Sequence, residues 1–224
     1  INVESFFRFL EIVNTANLLT EGLIQSKEML NYISFDSGGD LKGIENLPDL
    51  LRAIKEHRKI TFNHYNYHKD TTRKYTLKPY LLREYQNVWY IIGLFGDSLE
   101  FRTFGIDRIE DLKLTTQLFE PNSTLHPTEL FDNTIGLVYS ISEVQKIVLS
   151  FTKTQGRYIK NLPLHPSQTI LIDDENELRI ELNIAPNYEF NQIILKHGNT
   201  VKVIEPQWLV NQIKEILIET LNKY

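Results

Sequence analysis

Val88-Trp89-Tyr90-Ile91-Ile92-Gly93-Leu94 is followed by the turn Phe95-Gly96-Asp97-Ser98 and then by Leu99-Glu100-Phe101-Arg102-Thr103-Phe104-Gly105-Ile106. Both runs are rich in β-branched and aromatic residues and too short for a core helix, and Gly-Asp-Ser between them is turn chemistry. Working outward, Arg73 to Leu82 and Lys59 to Tyr65 have the same character, separated by His68-Lys69-Asp70, and Ile109 to Leu114 follows as a fifth run. Consecutive short strands with tight turns predict a small antiparallel sheet. Closing it into an SH3-like or Sm-like barrel would remove exposed edges.

Farther out the period changes. From Ile1 to about Phe35 apolar residues recur at three and four, including Leu18, Leu19, Leu23, Ile24, Met29, Leu30 and Ile33, which predicts two helices. Asp36-Ser37-Gly38-Gly39-Asp40 reads as a loop, and a short helix with Pro48 in its first turn and Leu47, Leu50, Leu51 and Ile54 on one side leads into the strands. Phe119 to Ser140 is a connector with Pro121, Pro127 and a short helix near Glu129 to Thr134. Strand (146–151), helix (155–162), strand (168–173), strand (177–185), helix (188–197) and strand (201–204) then give the βαββαβ order of a ferredoxin-like sandwich. After Pro206 a last helix carries Leu209, Ile213, Ile216, Leu217 and Leu221 on one stripe. The expected class is α+β: a helical linker and dimerisation region (1–58), a β-barrel (59–118), a connector (119–143) and a ferredoxin-like domain (144–224).

With 224 residues, 42% of them hydrophobic, the chain can bury ordinary cores without cross-links. The sequence has no cysteine, which excludes disulfides, zinc-thiolate sites and Fe–S clusters and makes a reducing, cytoplasmic compartment the expectation. Apolar runs such as Val88 to Leu94 fall short of the roughly 20 residues a membrane helix needs. The chain starts at Ile1 directly in an apolar stretch (Val3, Phe6, Phe7, Phe9, Leu10), which leads us to expect further sequence before it.

The net charge of −5 is unevenly spread. Between Arg52 and Arg83 nine cations (Arg52, Lys55, Arg58, Lys59, Lys69, Arg73, Lys74, Lys78, Arg83) face only Glu56 and Asp70, a local +7 that leaves −12 for the remainder. A basic segment in an acidic protein suits an anionic ligand at that place, whereas duplex DNA would want a basic balance overall. Motifs for catalysis are missing: no nucleophile-elbow serine, Gly-rich phosphate loop, HExxH helix or cysteine nucleophile occurs. His57, His64 and His68 do not share one helical turn, and Asp173, Asp174, Glu175 and Glu177 read as solvated hairpin residues. No enzyme activity, metal or cofactor is expected.

The tripeptide Trp89-Tyr90-Ile91, followed by Arg102-Thr103-Phe104-Gly105-Ile106-Asp107-Arg108-Ile109, resembles the WYL domain of bacterial transcriptional regulators, with Ile91 in place of the family's leucine. Ile60 to Tyr65 is similar to the family's first strand and Leu77-Lys78-Pro79-Tyr80 to its Pro-containing strand. His197-Gly198, Val201 to Pro206, Leu209 and Tyr224 resemble its C-terminal extension. The resemblance covers about residues 45 to 224. It implies a winged-helix DNA-binding domain ahead of this chain, operator DNA bound only through that domain, a homodimer, and control by a ligand that in several members is nucleic-acid-like, such as single-stranded DNA.

Strand alternation places Arg102 with Phe104 on one face, and Lys74, Thr76, Lys78 and Tyr80 on one face of their strand. Cationic side chains grip phosphates and aromatic faces stack on bases, so a single-stranded oligonucleotide or nucleotide fits such a surface. The expected ligand-binding set is Arg102 first, then Arg108, Phe104, Tyr65, Lys78, Arg73, Lys74, Arg83, Trp89 and Tyr90. Two other readings stay open: a protein–protein dimerisation module without small ligand, and an accessory domain of a nucleic-acid-processing enzyme.

Overall fold

The structure, a computed structural model, describes residues 42–138 and 143–224. The two helices and the loop expected before residue 41 lie outside the described residues. A 3-10 turn, Ile44–Asn46, leads into α1 (Leu47–Lys55), where Pro48 occupies the first turn at no cost in hydrogen bonds and Leu50 and Ala53 are buried. Five strands follow: β1 (Arg58–Asn66), β2 (Thr71–Tyr85), β3 (Val88–Phe95), β4 (Phe101–Gly105) and β5 (Ile109–Leu118), with a 3-10 turn at Ile106–Arg108 between the last two.

All neighbours in this sheet are antiparallel, in the order β4-β3-β2-β1-β5. The closed barrel is not seen: β4 and β5 are the two edge strands, and no ladder among the described residues joins them. Other elements cover its apolar positions. On one face α1 sets Leu50 and Ala53 against Ile60, Phe62, Leu77, Ile91, Phe104 and Ile106. On the other, the connector sets Phe131, with Leu125 and Leu130, against Ile92, Leu94 and Phe101. Two covered faces give the sheet its apolar burial without closure.

Gly93 leaves no room for a side chain between β2 and β3. It sits opposite Pro79, and a Cβ there would run into the Lys78 carbonyl oxygen and the Leu77 side chain. A register shift follows at once, between Pro79 and Leu81. It turns the strand so that Leu77 and Leu82 pack on the α1 side while Tyr80 and Leu81 pack on the connector side.

The second half runs β6 (Gln145–Thr152), α2 (Lys153–Asn161), β7 (Thr169–Asp173), β8 (Glu177–Ile184), α3 (Tyr188–Lys196) and β9 (Val201–Glu205). That is the βαββαβ order read from the sequence. The sheet order is β7-β8-β6-β9, antiparallel throughout. Its core joins Ile147, Leu149, Phe151, Ile180 and Leu182 of the strands to Ile159, Phe190 and Ile194 of the helices. Asn187 caps α3 by accepting from the Phe190 N–H at 2.8 Å. The last helix, α4 (Gln207–Leu221), buries Leu209 and Ile213 but leaves Leu217, Ile218 and Leu221 exposed. No helix among the described residues is long and apolar enough to cross a membrane.

The connector, with a 3-10 turn at Glu129–Phe131 where a helix to Thr134 was expected, is tied to both sheets. Arg83 of β2 lies over the Phe131 ring at 4.0 Å and donates to the Gly136 carbonyl at 3.3 Å. From the other side the Glu189 carboxylate accepts from the N–H groups of Leu137 and Val138 at 2.8 and 2.7 Å, and the Ala185 N–H donates to the Asn133 carbonyl at 2.7 Å. Gly136 has φ 92°, and a side chain there would strike that same carboxylate.

Candidate functional site

The alternation of β2 sends Tyr75 and Leu77 into the core and leaves Lys74, Thr76 and Lys78 on the polar side. Ile60 pairs with Leu77, so Lys59 stands beside Lys78 on the neighbouring strand. Together with Phe95 at the end of β3 and Gly96 and Asp97 of the turn that follows, these four side chains line a groove of about 400 Å³. Three ammonium groups thus share the groove with one carboxylate, Asp97. Lys59 donates to the Gln117 amide oxygen at 3.3 Å.

Phe95 is the hinge of this surface. It packs edge-on against Tyr75 at 5.6 Å and carries the Arg102 guanidinium over its ring at 5.2 Å. Arg102 is exposed, opposite Gly93 on the edge strand β4, with no carboxylate of the described residues within ion-pair distance. Ammonium groups bind phosphate as point charges and a guanidinium can fork onto it, so the arrangement is suited to an anion with several charges.

The remaining expected site residues fall elsewhere. Phe104 shares the strand face of Arg102 but is only 6% exposed, its ring against Tyr75, His64 and Phe62 at 4.8, 5.1 and 5.2 Å. The aromatic that meets Arg102 is therefore Phe95. Tyr80 does not stay with Lys74, Thr76 and Lys78: the register shift turns it onto Phe101 and Phe119, and its hydroxyl accepts from the Asn122 N–H at 3.2 Å. Trp89 and Tyr90 are half-buried and pack on opposite sides of the sheet, and burial raises the Tyr90 phenol above its ordinary pKa. Arg83 is the connector clamp described above, and its Nε is buried without a partner among the described residues.

Arg108 and Tyr65 belong to a second cluster. The Arg108 guanidinium lies over Tyr67 at 4.9 Å and pairs with Asp107 at 3.4 Å, while the Tyr65 hydroxyl donates to Asp70 at 2.5 Å. His64, 8% exposed, sits behind them, its Nε2 without a partner among the described residues. Burial, then the nearby Arg108 cation, holds its pKa below the ordinary histidine value of 6.5. Arg73 is exposed and pairs across the ladder with His64. Of the expected set, the structure brings Lys74 and Lys78 together, with Arg102 joined to their groove through Phe95. It adds Lys59, Thr76 and Phe95, of which the sequence marked Lys59 as part of the basic run and Thr76 as a face-mate of Lys74, but read Phe95 only as turn.

Residues 45–114 match the WYL domain and residues 143–221 match the WCX domain. Comparison with curated proteins gives no match. Among solved structures, the chain is similar to a crystal structure of a CRISPR Cas-related protein, at 15% identity and a TM-score of 0.51, covering 81% of this chain and 52% of that one. It also aligns with proteasome accessory factor B/C (PafBC) of Arthrobacter aurescens, at 17% identity and a TM-score of 0.35, covering 81% of this chain and 27% of that one. The chain thus spans about a quarter to a half of the length of these solved chains. With the Trp89-Tyr90-Ile91 strand, the Arg102 to Ile109 segment and a WCX domain in succession, the chain belongs to the WYL-domain family.

Proposed function

We propose that this chain is the ligand-sensing and self-association region of a transcriptional regulator, and that its ligand is a nucleic-acid-like polyanion, a single-stranded oligonucleotide or nucleotide. The observation that carries this reading is the groove of Lys59, Lys74 and Lys78 beside Phe95, with Arg102 resting on the same ring. Phosphates meet the ammonium groups and a base finds an aromatic edge. In this reading the regulator works in the cytoplasm, and operator DNA is bound by a domain outside this chain. The first sheet acts as an opened SH3-like or Sm-like module, the second as a ferredoxin-like module, and the exposed Leu217, Ile218 and Leu221 of α4 join two copies into a homodimer.

The test is fluorescence anisotropy with a labelled single-stranded oligonucleotide at low salt, against the duplex of the same sequence. Binding of the single strand, lost in Lys74→Ala/Lys78→Ala, supports the reading, whereas absence of binding to any single strand or nucleotide would falsify it. Sequence-specific duplex binding by this chain alone would move DNA recognition into it and contradict the assignment.

A further inference from the structure

A second cavity, of about 910 Å³, lies far from the lysine groove in composition and in the elements that build it. One wall is α2, with Gln155, Tyr158 and Asn161, and Leu162 just after it. The other is α3, with Tyr188, Gln192 and Lys196. The end is closed by Tyr85 and Gln86 at the tip of the β2–β3 hairpin, and the floor by Ile135, Ile159, Leu164 and Ile193. The volume is that of a small-molecule site, with an apolar floor and a few polar groups.

Three properties narrow the occupant. Three tyrosines from three elements stand around the space, and Tyr158 and Tyr188 are 68% and 69% exposed. Four amides (Gln86, Gln155, Asn161, Gln192) offer donor and acceptor side by side, the arrangement that reads the edge of a nucleobase. Lys196 supplies one positive charge, with no carboxylate of the described residues within ion-pair distance, and the Glu189 carboxylate, which also lines the cavity, has its Oε2 taken by the Leu137 and Val138 N–H groups. The walls are short: each helix has nine residues, about 14 Å of rise. A partner helix of several turns would overrun them, but a nucleoside monophosphate would not.

The hairpin tip gives an independent sign. Gln86 and Asn87 have φ 51° and 63°, the left-handed pair of a two-residue turn that glycine or asparagine fills with least strain. Glutamine is an ill-suited residue there for the turn itself. Its side chain lines the cavity and donates to the Tyr85 hydroxyl at 3.2 Å, which gives the strained residue a use.

From this geometry we infer a second ligand site, between the hairpin tip of the WYL sheet and the α2–α3 face of the WCX domain, for a nucleoside monophosphate stacked on the tyrosines with its phosphate at Lys196. It is separate from the polyanion groove, and occupancy would brace the two modules against each other.

The test uses the intact chain and a pool of the four nucleoside 5′-monophosphates, read by saturation-transfer NMR and then by calorimetry for the best binder, with the matching nucleoside and inorganic phosphate as controls. The monophosphate should bind, the nucleoside at least threefold more weakly, and phosphate alone not at all. Tyr158→Ala, an exposed position, should lower affinity at least tenfold without lowering Tm. Gln86→Gly should lower affinity while raising Tm, because the turn strain is relieved. In a Lys74→Ala/Lys78→Ala background, which disables the polyanion groove, monophosphate binding should persist and still depend on Tyr158, and Tyr158→Ala alone should leave oligonucleotide binding unchanged, so either site can fail without the other. No transfer to any of the four at millimolar ligand, or affinity unaltered by both Tyr158→Ala and Gln86→Gly, overturns the proposal.

Discussion

Arg102 and Arg83 are the same side chain put to opposite uses, and the difference lies in what the chain brings near them. Arg102 extends from an edge strand over Phe95, seven residues earlier, and stays in solvent. Arg83 meets Phe131 and Gly136, about fifty residues later, and is half-buried between them. Arg83→Ala removes a hydrogen bond from a charged group, about 1.5–3 kcal/mol, and a ring contact of about 0.5–2 kcal/mol. The two terms share one geometry and are not additive. We expect a loss of about 2 kcal/mol in urea unfolding for Arg83→Ala and no measurable change for Arg102→Ala; equal effects would contradict these placements. The sequence ranked Arg102 first from strand alternation, a local property. It could not separate Arg83 from the ligand set, because the groups that claim Arg83 lie in the connector. Phe104 was likewise legible as a neighbour of Arg102 but not as core, since burial depends on α1 and β1 packing over it.

At the scale of elements, period-two runs and their turns located the five strands of the first sheet, and the mixed periods located the six elements of the second. Closure was not legible, because two edges either pair or stay apart according to how the sheet coils and what covers it. The register shift after Pro79 was also hidden, and it is what takes Tyr80 away from the lysines. Gly93 shows how tightly this region is set. In Gly93→Ala the new methyl would meet the Lys78 carbonyl and Leu77, so β2 and β3 must separate locally. Overpacking of this kind costs roughly 1–3 kcal/mol. Chemical denaturation should show that loss, and the displaced Lys78 should weaken oligonucleotide binding as well; a variant as stable as the parent would mean that the strands have slack.

Across the whole molecule, burial favours the neutral form of three histidines. Burial lowers the pKa of His64, His165 and His197, helped by Arg108 at His64 and by Lys196 at His197. The unfolded chain therefore binds more protons than the folded one below the ordinary value of 6.5, so stability is full above that pH and is lost as pH falls beneath it. Tm should fall between pH 6.5 and 5, and His64→Leu should flatten part of that slope; an unchanged slope would show that His64 titrates freely. The exposed apolar end of α4 suits self-association, and light scattering at high micromolar concentration should report a dimer, a monomer contradicting this part. The net charge of −5 against the cationic groove is a whole-chain property that the sequence displayed openly, although which cations converge depended on register. The most direct test of the groove is the salt dependence of single-strand affinity. If Lys59, Lys74, Lys78 and Arg102 each neutralise one phosphate, the log–log slope should be about −3, at about −0.7 per phosphate. Arg102→Ala should bring it to about −2 with Tm unchanged, whereas a wild-type slope near zero, or one that Arg102→Ala leaves as it was, would contradict the assignment of this face as the anion site.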